Sequence, residues 1–377
     1  MIETPGFFWS LLFFFVAIGP LIFIHEMGHY LVGRWCGVKA DVFSIGFGRE
    51  MAGWTDKRGT RWKLSLLPLG GYVKFAGDMS PASEPSDEWK QVPAGERAVT
   101  FQAQTLWKRA LIVAAGPFTN LLLAVFIFMG IFAAYGQPRA LSVIGAVVPG
   151  SAAAVAGFKP GDRIVAIGDT AIDQFDEISD IVALRPGVSM SFKVLRSGKE
   201  QTIIAAPAEE VFKDRFGNIA KLGRLGLQSG KIEVVKLSPL ELPVAGVVQT
   251  WRVLNSMVDG LAQIILGRIS VKELGGPLKI GKYSGQMATL GVVAFLGFVA
   301  LISINLGFIN LLPIPMLDGG HLTFYALEAI LRKPVSAQVQ EWAFRAGFAV
   351  LIGFMVLVNF NDLESFGVWS KLSSLIG

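Results

Sequence analysis

Three residues near the start of the chain have the types and spacing that chemistry can use: the two imidazoles and the carboxylate of His25-Glu26-Met27-Gly28-His29. A helix turns about 100° per residue, so positions four apart share a face about one turn apart. Two imidazoles so placed can bind one Zn2+ at about 2.0–2.1 Å each. Glu26 directly follows the first and projects beside a metal held there. A carboxylate in that place can serve as general base for hydrolysis, the chemistry of the H-E-x-x-H metallopeptidase pattern. The bare pattern fixes only three positions and recurs by chance, so its setting has to decide.

The setting is apolar. Residues 7–24, FFWSLLFFFVAIGPLIFI, hold no charge and run straight into the histidine motif. A helix needs about 20 apolar residues to cross the hydrocarbon core, so 7–33 reads as a span with its polar residues in the last third. An ionised group inside a membrane costs roughly 2.5–3.5 kcal/mol on insertion scales and needs a partner, which a metal ion provides. The competing reading puts the pair at the headgroup interface, where it merely ends the helix. A signal peptide fits poorly, because no Lys or Arg precedes the run and no small-x-small cleavage site follows it.

Composition agrees with a membrane setting. Of 377 residues, 52% are hydrophobic and 17% charged, with mean hydropathy +0.53, whereas soluble domains carry about 25% charged residues. The net charge of +5 points to loop orientation in a membrane, and no nucleic-acid partner is expected. A lone Cys36 excludes an intrachain disulfide and a Cys-rich metal site.

Catalytic zinc usually takes three protein ligands and leaves a fourth position open. A second apolar run ends in Asn310-Leu-Leu-Pro-Ile-Pro-Met-Leu-Asp318-Gly-Gly-His321. Pro313 and Pro315 break the helix, and irregular backbone at membrane depth is tolerated only where it packs on protein or lines a cavity. Asp318 ranks first as third ligand, although it could also cap the helix at 319–331. His321 is a rival that chemistry alone does not eliminate.

The remaining elements must bring these two motifs together. Spans are expected at 7–33, 110–135, 288–311 and 342–360. The resulting division is 1–35 (first span with the histidine motif), 36–105 (β segment and loop), 106–136 (second span), 140–207 (soluble α+β module), 208–285 (amphipathic linker), 286–335 (third span with the Asp318 motif), 338–362 (fourth span) and 363–377 (tail). The stretch 80–96, SPASEPSDEWKQVPAGE, reads as an exposed loop. Twelve Lys and Arg lie from Arg34 to Arg109 and none before the first span. Positive-inside logic puts that segment in the cytoplasm and both termini on the outer side.

Taken together, these motifs resemble the site-2 protease family, and more closely its bacterial regulator of sigma-E protease group. The resemblance is carried by H-E-x-x-H, FSIGFG (43–48), PLGGYVKFAGD (68–78), GPFTN (116–120), PGSAAAVAGFKPGDRIVAIG (149–168) and NLLPIPMLDGGHLTFYALE (310–328). It implies a multi-pass α-helical membrane core of about four spans, with a membrane-dipping β-hairpin within 43–75 and an inserted PDZ-like α+β domain. One GFKPGD-type loop leaves room for a single PDZ domain where well-known members have two. Ala156-Gly157-Phe158 resembles part of its carboxylate-binding segment. The resemblance further implies Zn2+ on His25, His29 and Asp318, Glu26 as base, and substrate-binding or oxyanion roles for Asn310, Gly46, Gly48 and Asn120. Interhelical hydrogen bonding is the alternative for the two asparagines.

The activity implied is that of an intramembrane zinc metalloendopeptidase of the bacterial inner membrane. Its partners would be the bilayer and single-span membrane proteins, such as a trimmed anti-sigma factor or remnant signal peptides. The PDZ-like domain would be periplasmic. The rival is a proteolytically silent membrane PDZ scaffold, for which Glu26 would have no use. Asp318→Asn is expected to lower zinc occupancy, measured as metal per chain in purified protein; unchanged metal content and activity would transfer the ligand role to His321.

Overall fold

A chain without water around it must satisfy its own peptide groups, and the long apolar runs do so as helices. The computed structural model describes residues 6–77, 93–183, 185–213, 219–230, 232–265 and 275–365. In chain order the elements are α1 (Phe7–Trp35), β1 (Ala40–Thr55), β2 (Arg61–Phe75), α2 (Ala94–Arg97), α3 (Leu106–Tyr135), β3 (Gln137–Ala140), β4 (Ile144–Val147), α4 (Ala152–Ala156), β5 (Arg163–Ile167), β6 (Thr170–Ala171), α5 (Phe175–Ala183), β7 (Met190–Arg196), β8 (Lys199–Ala205), β9 (Ala208–Lys213), β10 (Ile219–Arg224), β11 (Leu227–Ser229), β12 (Ile232–Val235), α6 (Glu241–Ile265), α7 (Pro277–Thr289), α8 (Val292–Leu311), α9 (Asp318–Leu331) and α10 (Ala337–Ser365). Among the described residues, four helices are long and apolar enough to cross a membrane: Phe7–Trp35, Leu106–Tyr135, Val292–Leu311 and Gln338–Glu364. They coincide with the four runs read from the sequence. Most of the stretch read as an exposed loop at 80–96, and most of the tail at 363–377, lie outside the described residues.

The chain divides into two compact units, 1–129 with 243–259 and 271–377, and 130–242 with 260–270. In the first, helices approach closely at small residues, as membrane helices do without a hydrophobic drive between them. A Cβ on Gly28 of α1 would stand 2.6 Å from the Ala115 carbonyl of α3, and one on Gly307 of α8 would stand 2.9 Å from the Pro117 carbonyl. Ala17, Leu21 and Val299 fill the seam between α1 and α8. Fully buried Asp362 of α10 accepts from the backbone N–H groups of Gly276 and Lys279 at 3.0–3.2 Å, closing the amino end of α7.

The polar segment after α1 folds as β1 and β2, paired antiparallel with Phe43 opposite Val73 and Trp54 opposite Trp62. β1 bends where Gly46 and Gly48 take positive φ (87° and 89°), a conformation open to glycine and strained for side chains. Phe43, Tyr30 and Trp62 stack beneath the bend and tie β1 to α1.

The second unit is built on the four-stranded sheet β6-β5-β7-β8, over a core that includes Ile144, Phe158, Ile164, Phe192 and Val194. The expected end of this module at 207 is too early. β11 pairs with β4 and β12 pairs with β3, so the strands after 207 close the module begun at 137. The sequence shows them only as weak strands in an amphipathic linker, because they are short and weakly apolar and their partners lie far away in the chain. Phe158, expected at a carboxylate-binding loop, is a core residue at 4% exposure.

Asp162 holds β5 and β7 together. Its side chain accepts from Arg196 Nε and Nη2, each at 2.7 Å, and from the Lys159 N–H at 2.9 Å. Burial would raise its pKa, but the Arg196 and Lys159 hydrogen bonds and charges outweigh burial and hold it below the usual carboxylate range. A carboxylate with a depressed folded pKa stabilises fully above its unfolded value of about 3.9, and that stability is lost as pH falls through the folded pKa. Acidifying full-length protein below about pH 4 is therefore expected to lower hydrogen-exchange protection of β5 and β7, after correction for intrinsic rates. Asp162→Asn should show reduced protection at pH 7 and a flatter acid dependence.

Candidate metal centre

α1 carries His25 and His29 on one face, as their spacing requires. His25 and Glu26 are each 8% exposed, and His25 Nε2 and His29 Nε2 stand 3.3 Å apart. Asp318 completes the group, with Oδ2 3.2 Å from His25 Nε2 and Oδ1 3.6 Å from His29 Nε2. Ligands about 2.0–2.1 Å from one tetrahedral zinc stand about 3.3 Å from each other. Two imidazoles and a carboxylate at these separations fit zinc in both donor chemistry and spacing. Among the described residues these three form the group able to hold a metal ion. His321 lines the same cavity but stands outside the donor group; its ring lies against Phe344.

Asp318 arrives here because the chain breaks after α8. Residues 312–317 turn through Pro313 and Pro315, with Met316 at φ 85°, and Asp318 opens α9. The cap position falls on Leu317, which makes no side-chain cap bond, so the carboxylate is left to face the histidines. Gly319 and Gly320 let α9 close on this turn, since a Cβ on either would run into the carbonyls of Leu311, Leu312 or Ile314. From the other side, a Cβ on Gly347 of α10 would lie 2.6 Å from the Pro315 carbonyl.

The imidazoles are held from behind. His29 Nδ1 meets the Ile112 carbonyl at 2.9 Å. A carbonyl only accepts, so Nδ1 carries a proton and Nε2 is the ring atom turned toward the donor group. His25 Nδ1 meets the Asn120 side-chain amide at 3.1 Å. Gly116 of α3 passes in front. A Cβ there would overlap His29 Nε2 and stand 2.9 Å from His25 Nε2. The sequence showed Gly116 as part of a motif, but not that its missing side chain clears space for a metal.

The donors open into a cavity of about 400 Å³ lined by Glu26, Asn310, His321 and residues 70–73 of β2, among others. A Cβ on Gly71 would stand 2.9 Å from Glu26 Cγ, so β2 lies directly against the carboxylate. Of the residues expected to touch substrate, Asn310 lines this cavity; Gly46 and Gly48 sit at the bend of β1 and do not. Asn120, with no accessible surface, contacts His25 across the α3–α1 interface.

The chain is similar to known proteins along most of its length. Residues 13–354 match the model of Peptidase family M50. A protein of Agrobacterium fabrum, provisionally named zinc metalloprotease Atu1380, is 45% identical over 357 residues, covering 93% of this chain and 95% of the relative. A similarly named protein of Rhizobium meliloti, R01501, is 42% identical over 93% of this chain and 95% of its own length. Metalloprotease MmpA of Caulobacter vibrioides is 35% identical over 98% of this chain and 99% of its own length.

Gly116→Ala tests the clearance. It should abolish stoichiometric zinc binding while the helical circular dichroism of the purified protein stays unchanged. Wild-type metal content in that variant would show that the metal does not sit between these donors.

Proposed function

The chain belongs to Peptidase family M50, the site-2 proteases, and is a zinc metalloprotease; we propose that it cleaves peptide bonds inside the membrane-spanning segments of single-span proteins. The observation that carries this reading is the position of the donor group. His25, Glu26 and His29 lie within a helix long and apolar enough to cross a membrane, and Asp318 reaches them from the turn after another.

In this reading His25, His29 and Asp318 hold the zinc, which when bound supplies Lewis-acid polarisation of the scissile carbonyl and an acidified water. Glu26 takes the proton of the attacking water and returns it to the leaving amine. Asn310, in the cavity wall, holds the substrate carbonyl. A helical substrate hides its peptide bonds in i to i−4 hydrogen bonds and must unwind locally. Residues 70–73 of β2, against Glu26, offer backbone groups that can replace those bonds by strand addition. The exposed Met51, Trp54, Leu66 and Leu67 support a hairpin that dips into lipid.

The second unit is read as a single PDZ-like domain on the periplasmic side of the bacterial inner membrane, with both termini also periplasmic. A groove of about 420 Å³ between α5 and residues 223–228 supports a peptide reader. A steric gate that admits only substrates with shortened outer domains is the other use of the same domain. The substrates are single-span proteins already trimmed outside the membrane, of the anti-sigma factor or remnant signal peptide kind. A silent scaffold is disfavoured because it has no need of Glu26 beside three metal donors.

Glu26→Gln should lower chelator-sensitive cleavage of a single-span peptide in liposomes by about 10²–10⁴-fold with zinc content unchanged. Undiminished turnover would refute the mechanism. Comparative membrane proteomics of wild type and this variant should reveal accumulated single-span fragments.

A further inference from the structure

The two histidines are supported from behind by different chemistry. The Ile112 carbonyl behind His29 can only accept, and it fixes one tautomer. The amide of Asn120 behind His25 has two ends. Its oxygen accepts and its NH2 group donates, and a half-turn about the terminal bond exchanges them without changing shape.

Asn120 is held where this ambiguity matters. It has no accessible surface, and its backbone carbonyl accepts from fully buried Ser303 of α8 at 2.7 Å. Its Nδ2 faces His25 Nδ1 at 3.1 Å. The remaining atom, Oδ1, is buried with no hydrogen-bond partner. A buried orphan acceptor is destabilising, and a leucine would avoid that cost. The orphan has one useful consequence: nothing on the far side of the amide anchors either orientation, so His25 alone selects it.

We infer that Asn120 is the positioning residue that sets the tautomer of His25 and turns its amide as the metal site fills. This rests on the reading of His25 as a zinc ligand. With Asn120 Nδ2 toward His25 Nδ1 at 3.1 Å, the amide would donate, and the ring proton would lie on Nε2, 3.2 Å from Asp318 Oδ2. Each donor then has an acceptor. A ligating Nε2 must present a lone pair, so the ring proton moves to Nδ1 and the facing atom of Asn120 must become the oxygen. An amide serves both states in place. Leucine serves neither, and aspartate serves only the ligated one.

The test uses full-length protein in nanodiscs and measures zinc affinity by competition with a chelator. Asn120→Leu should weaken binding about 10–100-fold, the usual effect of losing a partner behind a ligand. Asn120→Asp, which keeps an acceptor, should recover most of that loss. Wild-type affinity in Asn120→Leu, or an Asn120→Asp variant no tighter than Asn120→Leu, overturns the inference. His25→Ala separates this from the underlying site. If that variant keeps zinc, the ligand assignment itself fails; if it loses zinc while Asn120→Leu does not, only the role of Asn120 fails. A second measurement needs no variant at Asn120. With 15N-labelled histidine, of which the chain has three, the His25 proton should sit on Nε2 without metal and on Nδ1 with zinc. A proton that stays on Nε2 after zinc loading also overturns the inference.

Discussion

Everything in the first unit follows from the difficulty of keeping polar groups in a medium without water. An ionisable side chain inside the bilayer needs a counterpart at short range. The two imidazoles of α1 find Asp318. The carboxylate of Asp362 finds the amino end of α7 and, at 3.6 Å, Lys279 Nζ. At the charged end of α3, outside the apolar run, Arg109 finds Glu328 at 3.0 Å and the Tyr325 ring of α9. These pairings join α1 to α9, α7 to α10 and α3 to α9. The cost of polarity therefore also specifies which helices must be neighbours.

The second condition is closeness. Side-chain donors can share one ion only if the backbones carrying them are nearly in contact. Glycines supply this at Gly28 and Gly307 between helices, at Gly116 in front of the donors, and at Gly319, Gly320 and Gly347 around the turn that presents Asp318. The same absence of side chain at Gly71 brings β2 against Glu26. The site is thus shaped as much by atoms left out as by the donors themselves.

Much of this was legible in the sequence, because the informative signals are local. Four apolar runs, a histidine spacing of one helical turn, and an Asp-Gly-Gly following two prolines are each visible in a short window. The signals that failed are those that depend on distant pairing. β11 and β12 are short and carry little apolar periodicity, so their return to β4 and β3 is not legible in the sequence. Asn120 showed its polar nature but not its direction: a residue in an apolar span can face a substrate or a neighbouring helix, and only the packing of α3 against α1 decides. Chemistry alone does not separate His321 from Asp318, since each is a sound ligand; the resemblance favours Asp318, and the turn after α8 brings its carboxylate to the histidines.

His25 and Asp318 are 293 residues apart in the chain, yet they share one donor group. During synthesis the histidine pair enters the membrane long before its third partner exists. Any product that stops short of α9 carries the motif without the means to close it. A donor group divided in this way completes itself only when the amino end of α9 has come against α1.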